Sequence, residues 1–162
     1  MEADPRLTGA EPLASAKFAG IGVTIDWRGL DDCPIAAGAI RVQVSYSYFN
    51  PVSHAESAPL AVARPYQGSV VVFQDRVQFL SRNGVRSVMA HVLVHEITHV
   101  LERIDRHSST GVMKASWDNQ DYFKMRRAPL PFAQEDVDLI YAGLKVRRIA
   151  AAAAVARLVD CP

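Results

Sequence analysis

Five consecutive residues, His95-Glu96-Ile97-Thr98-His99, combine two imidazoles with a carboxylate in an HExxH pattern. On a helix, residues four apart lie on one face, about one turn from each other, so both imidazoles can bind one metal ion. We expect Zn²⁺, which histidine nitrogens commonly hold. Glu96 then lies where its carboxylate can accept a proton from a metal-bound water and pass it to a leaving amine. The pattern therefore predicts a zinc site for peptide hydrolysis.

An open zinc site normally needs a third protein ligand, and two residues after the motif qualify. Asp105 lies six residues after His99, and His107 lies eight residues after it. A glycine three residues after His99 would let the helix end and the chain turn back sharply, but Glu102 occupies that position. We therefore expect the helix to run on and the chain to return at His107, with Asp105 as the alternative third ligand.

The segment that follows, HSSTGVM, begins at His107 and ends at Met113, and a tryptophan lies at position 117. With HExxH, this pattern resembles the metzincin-like zinc peptidases, and more narrowly a group of small bacterial, matrixin-related proteins with HSxxGxM after a longer gap. The resemblance covers about residues 69–145 and includes AQEDVDLIYAGL, which is similar to the matrixin C-terminal helix. The chain departs from the family pattern at Thr98 and Glu102.

The resemblance implies roles for residues around the metal. Met113 would lie in a tight turn beneath the ion as an apolar floor. Trp117 would line the pocket for the substrate residue after the scissile bond, although core packing explains it equally well. The substrate would lie as an added strand along a sheet edge. The backbone groups expected to hold it belong to Val70, Val71, Val72 and Phe73.

These residues together predict a zinc-dependent endopeptidase, with a protein or peptide as substrate and Glu96 as general base. The alternative is an inactive peptidase fold that binds metal and serves as a protein-binding module, against which the intact Glu96 argues. His91 lies one turn before His95, but three stacked histidines on one helix cannot all reach one ion. We expect His91 to be packed instead.

The elements that must position these residues follow from the apolar pattern, which predicts an α+β domain with a small twisted mixed sheet. Alternating residues predict strands over 22–27, 40–49 and 68–77, and three prolines predict a long loop over 50–67. Residues 13–19 predict a short helix. Apolar residues recurring at three and four from Val85 to Ile104 predict a long active-site helix, followed by a C-terminal helix. The resemblance adds a zincin-like, metzincin-like fold.

Composition limits the remaining choices. The chain has 162 residues, 49% of them hydrophobic and 22% charged, which predicts one globular domain. We expect this domain over residues 10–162, after a flexible lead-in over residues 1–9, and a monomer. The 18 Lys and Arg nearly balance the 17 Asp and Glu, so no basic surface indicates nucleic acid. The longest apolar stretch, residues 149–159, is too short for a transmembrane segment.

The N-terminal sequence MEADPRLTGAEP lacks the basic and apolar stretches of an export signal. A mature exported protein would have lost such a signal, so its absence says little, and we expect a secreted or periplasmic protein. Cys33 and Cys161 lie near opposite ends of the chain. They fit one long-range disulfide, as in extracytoplasmic proteins, or two free thiols.

Overall fold

The computed structural model describes residues 7, 9–29, 38–46, 59–80 and 84–158, the last eight by their backbone only. Cys33, Cys161 and most of the predicted lead-in lie outside the described residues. The helices and strands, in chain order, are α1 (Glu11–Ala19), β1 (Arg41–Ser45), β2 (Ala61–Arg64), β3 (Ser69–Phe73), α2 (Gln74–Leu80), α3 (Val85–Glu102), α4 (Asn119–Met125) and α5 (Gln134–Leu158). The architecture is therefore α+β, as the sequence predicted.

The three strands form one mixed sheet in the order β1-β3-β2. β1 runs parallel to β3, and β2 runs antiparallel to it. β2 lies in the segment that was predicted to be a loop, so that prediction is wrong for residues 61–64. Pro59 and Pro65 bracket this short strand and do not interrupt it, which is the position that proline tolerates because it lacks a backbone N–H.

Two further strand predictions need correction. Residues 22–27 are not a strand, although Val23 is buried and every second side chain after it is half-buried. Alternation indicates extended backbone, which becomes a strand only where a neighbour supplies ladder hydrogen bonds, and no described strand pairs with this segment. The third strand ends at Phe73, and residues 74–80 form α2, because Gln74 and Val77 bury one helical face.

α3 is the centre of the molecule. All its residues from Val88 to Glu102 are buried, and it packs against every other described helix and against β2 and β3. A helix that is apolar on most of its circumference belongs inside the core. Because the HExxH residues lie on the last turns of this helix, they are held in the interior.

α5 crosses the end of α3 at very close range. A β-carbon added at Gly143 would lie 1.7 Å from the carbonyl oxygen of Leu101, so only glycine allows this contact. None of the helices in the described part of the chain combines the length and apolar character needed to cross a membrane.

Candidate metal centre

His95 and His99 present their Nε2 atoms to each other at 3.1 Å, inside the core. The Nδ1 atom of His95 lies 2.8 Å from the carbonyl oxygen of Val112, and that of His99 lies 3.2 Å from the carbonyl oxygen of Ile104. Because each Nδ1 faces an acceptor, it carries the ring hydrogen, and each Nε2 keeps a lone pair. Two lone pairs that converge at this distance form a site for a cation.

Burial keeps both imidazoles neutral. It lowers the pKa of His95 to about 4, against the opposing effect of the Val112 carbonyl, and it also lowers the pKa of His99. Histidine must be neutral to bind a metal ion. The two rings are therefore ready to act as ligands near neutral pH.

His107 completes the cluster from outside the helix. Its ring centroid lies 5.2 Å from that of His95 and 5.0 Å from that of His99, and the ligand atoms of the three lie within 4.8 Å of one another. Tetrahedral zinc, with bonds of about 2.0 Å, spaces its nitrogen ligands about 3.3 Å apart. The three histidines therefore lie close enough to hold a metal ion. Asp105 is not part of any such group in the described residues.

The chain returns to His107 through an unexpected residue. α3 ends at Glu102, and Arg103 adopts the left-handed conformation, with φ of 60° and its N–H bonded to the His99 carbonyl. The expectation that the helix would run on without a glycine is therefore wrong. The conformation costs about 1 kcal/mol for a residue with a side chain. Arg103 is the sole non-glycine residue with positive φ in the described chain.

A tight turn beyond His107 supplies the carbonyl that orients His95. The Ser108 N–H donates to the Met113 carbonyl at 2.8 Å, and Gly111 has φ of 75°. A β-carbon at Gly111 would lie 2.2 Å from the Pro131 carbonyl oxygen, so the turn requires glycine. Met113 is fully buried at its end. The turn fixes the Val112 carbonyl against the His95 ring.

Asp136 anchors the chain on both sides of His107. This fully buried carboxylate accepts hydrogen bonds from Arg106 at 2.8 Å and from Ser108 at 2.5 Å, and its other oxygen accepts from the Ala133 N–H at 3.0 Å. From the sequence, Asp136 is only an acidic residue in the segment similar to the matrixin C-terminal helix. The sequence carried no signal of this role, because Arg106 and Ser108 lie 30 and 28 residues before Asp136.

Glu96 is buried and faces the same cavity as the histidines. Burial raises the pKa of its carboxyl to about 7, and the negative charge of Asp105 adds to this, whereas a hydrogen bond from the Ala63 backbone opposes it. A carboxyl with a pKa near neutrality can both accept and return a proton at physiological pH. The structure thus brings Glu96 to the histidine cluster, as predicted.

The cavity above the cluster has a volume of about 450 Å³ and lies between β2 and the segment 114–122. Trp117 stands edge-on to His95, with ring centroids 5.5 Å apart, and Tyr122 stands edge-on to Trp117 at 6.3 Å. Lys114 braces this wall through ion pairs with Asp121 and, at 3.2 Å, with Asp118. Trp117 therefore both packs against the cluster and lines the cavity.

The free sheet edge beside this cavity belongs to β2. β3 lies between two strands, so its backbone groups are already paired, and the prediction that Val70, Val71, Val72 and Phe73 offer a substrate edge is wrong. The Leu60 carbonyl accepts from the Phe73 N–H at 2.9 Å. Because pairing alternates along an antiparallel ladder, Ala61 and Ala63 direct their backbone groups away from β3. Ala63 accordingly contacts Glu96.

His91 is packed, as expected, and does not belong to the cluster. Its Nδ1 lies 2.7 Å from the Ser87 carbonyl oxygen, and its Nε2 accepts from the Leu130 N–H at 3.0 Å. Burial lowers the pKa of this imidazole to about 4. The neutral ring thus joins α3 to the segment that leads into α5.

Comparisons of the chain with protein-family models, with curated proteins and with solved structures found no match. The function is therefore inferred from the site itself.

Proposed function

We propose that the chain is a zinc-dependent endopeptidase with a metzincin-like fold, in which His95, His99 and His107 hold Zn²⁺ and Glu96 is the general base. The observation that carries this proposal is the convergence of three histidines and a buried glutamate in one cleft beside an open strand edge. A structural role alone would not require two buried lone pairs to face each other at 3.1 Å.

The donor set fits zinc. Three imidazole nitrogens are a common protein ligand set for catalytic zinc, and they leave a fourth position for water or substrate. The His95 and His99 nitrogens already have nearly the spacing of a tetrahedral site. The ligand atom of His107 needs to move inward by about 1.5 Å or less, given the 4.8 Å limit within the cluster. His107 is exposed, which leaves room for this movement.

The ion, when bound, would polarise the scissile carbonyl and favour ionisation of a water molecule. Glu96 removes the proton from the attacking water and delivers it to the leaving amine, for which a pKa of about 7 is suited. The peptide adds to the outer edge of β2, where Ala61 offers its backbone groups and Ala63 its carbonyl, since the Ala63 N–H donates to Glu96. Trp117 and Tyr122 contact the substrate side chain on the opposite wall.

Further features agree with the matrixin resemblance. The buried Met113 follows the turn that orients His95, and α5 packs across the end of α3 behind the cluster. The same resemblance is the basis for proposing that the protein acts as a secreted or periplasmic monomer on protein substrates.

Metal analysis and a digestion assay test the proposal together. The purified protein should contain about one zinc per chain and cleave an unfolded protein substrate. Glu96→Gln should keep the zinc but lose at least about 100-fold in cleavage rate, since an amide cannot accept the proton. Asp138→Asn, the same change at an exposed position on α5, is the matched control and should cleave normally.

Three outcomes would count against the proposal. If His95→Ala kept the zinc of the parent, the site would be wrong. Equal cleavage by Glu96→Gln and the parent would exclude Glu96 as the base. Stoichiometric zinc without cleavage of any substrate would favour the protein-binding module.

A further inference from the structure

A second cavity, of about 280 Å³, lies where the β2–β3 turn meets α5 and the end of α3. Arg103 and Arg147 line it, together with Tyr66 and Gln67 of the turn. Pro65 lines both this cavity and the cleft above the histidine cluster, so the two adjoin at the end of β2. The second cavity lies outside the proposed catalytic machinery.

The two arginines place positive charge in this cavity without a counterion among the described residues. Neither Arg103 nor Arg147 takes part in the ion pairs that the described residues form. Burial and the nearby charge of Arg103 both lower the pKa of Arg147. Two like charges at close range in a partly buried place are unfavourable unless an anion joins them.

Two backbone carbonyls hold the Arg147 side chain in position, but one of its N–H donors has no partner among the described residues. One terminal nitrogen donates to the Gly38 carbonyl at 2.6 Å, and the other lies 3.4 Å from the Val100 carbonyl oxygen. Its Nε–H is buried and has no partner among the described residues. A guanidinium with open donors binds a carboxylate through two parallel hydrogen bonds. Tyr66 is 81% exposed and adds a hydroxyl at the rim.

We propose that this cavity binds a carboxylate, and that the carboxylate belongs to an acidic residue of the peptide that lies along β2. The inference rests on the proposed peptidase function and deepens it, because it gives the enzyme a preference for acidic substrates. Ala63 contacts Glu96, and Pro65, which lines the second cavity, comes two residues later, directly after the end of β2. At about 3.3 Å per residue, the acidic residue lies about two to four residues from the scissile bond.

Paired peptides test the preference. A peptide that the enzyme cleaves is resynthesised with Glu or with Gln at each position on either side of the cleaved bond, and kcat/KM is measured for each pair. We expect Glu to exceed Gln by about tenfold at one position, on one side of the bond only. Arg103→Gln should reduce this ratio to near one, and the ratio is the readout because a general loss of activity would lower the rates of both peptides alike.

Arg148→Gln is the matched control, because Arg148 is an exposed neighbour on α5 that does not line the cavity. Arg147→Lys, which keeps a charge, should lower the ratio in part. A ratio near one at every position in the parent, or a ratio unchanged by Arg103→Gln, would overturn the inference while leaving the peptidase proposal intact.

Binding separates the two proposals if no peptide is cleaved. Fluorescence anisotropy of a labelled Glu peptide and its Gln partner, measured with the zinc-loaded protein, does not require turnover. If the parent binds the Glu peptide more tightly than the Gln peptide, and Arg103→Gln abolishes this difference, the carboxylate site is upheld without any cleavage. Equal binding of the two peptides by the parent would refute it.

Discussion

The ligand atoms of the candidate centre are set by the acceptors behind them. His95 and His99 each bind a backbone carbonyl through Nδ1, so both rings are held in the tautomer that leaves Nε2 for a metal. The sequence predicted the two rings from their spacing, and it also predicted His107. It could not predict the carbonyls of Val112 and Ile104, because these depend on the turns after α3 and not on side-chain identity.

The third ligand can be identified by zinc affinity. His107→Ala should weaken zinc binding by more than about 100-fold, since loss of a ligand costs more than loss of a group that only orients one. Asp105→Asn should change the affinity by less than about tenfold, because Asp105 lines the cavity but is not in the histidine cluster. Chelator competition measures both variants. If Asp105→Asn released the metal and His107→Ala kept it, the site would be of the His-His-Asp type.

His91 should make stability fall in acid. The pKa of its imidazole is lowered from 6.5 to about 4 by burial, so the unfolded chain binds a proton more readily than the folded one between these values. Its contribution is therefore complete above pH 6.5 and is lost as the pH falls to 4. A shift of this size corresponds to about 3 kcal/mol.

Chemical unfolding of the metal-free protein at several pH values tests this effect. The free energy of unfolding of the parent should fall more steeply between pH 6.5 and 4 than that of His91→Gln. The pKa of His95 is also lowered, and His95 is present in both proteins, so its contribution cancels when the two free energies of unfolding are subtracted. Parallel curves would show that His91 is not the group responsible.

Among the helices and strands, the sequence predicted the long helix α3, because its apolar residues recur with helical spacing. The ends of α3 were expected at Val85 and Ile104 and lie at Val85 and Glu102. β2 was missed because four residues between two prolines carry too little pattern to distinguish a strand from a loop. For the same reason the sequence placed the expected substrate edge on β3, which is the central strand of the sheet. The early end of α3 was missed because propensity does not favour the left-handed conformation for arginine.

The crossing of α3 and α5 depends on Gly143. A methyl group there would overlap the Leu101 carbonyl, so Gly143→Ala should lower the free energy of unfolding by about 3 kcal/mol or more, although alanine favours helix. Ala142→Ser, at the exposed neighbouring position, should change it by less than about 0.5 kcal/mol. Denaturant unfolding measures both. Equal stability of Gly143→Ala and the parent would mean that the two helices are further apart.

For the molecule as a whole, the candidate centre joins parts of the chain that are distant in sequence. His95 and His99 of α3 lie in the core, whereas His107 lies on a segment held by Asp136 at the start of α5. A metal ion would therefore bind the folded chain and not the unfolded one. This arrangement would link the binding of a metal ion to stability.

Zinc should raise the unfolding temperature. At a free concentration 100 times the dissociation constant, the gain is about 2.7 kcal/mol. The chain should stay folded after chelation, because α3 is buried by apolar contacts on all sides, but it should melt at a lower temperature. Thermal unfolding with zinc and with chelator measures the difference.

Glu96→Gln should show the same gain as the parent and His95→Ala should show almost none, since Glu96 is not a ligand. The gain should also fall as the pH is lowered, because protons compete with zinc for the imidazoles. An unfolding temperature that does not depend on zinc at any pH would mean that the three histidines do not hold the ion.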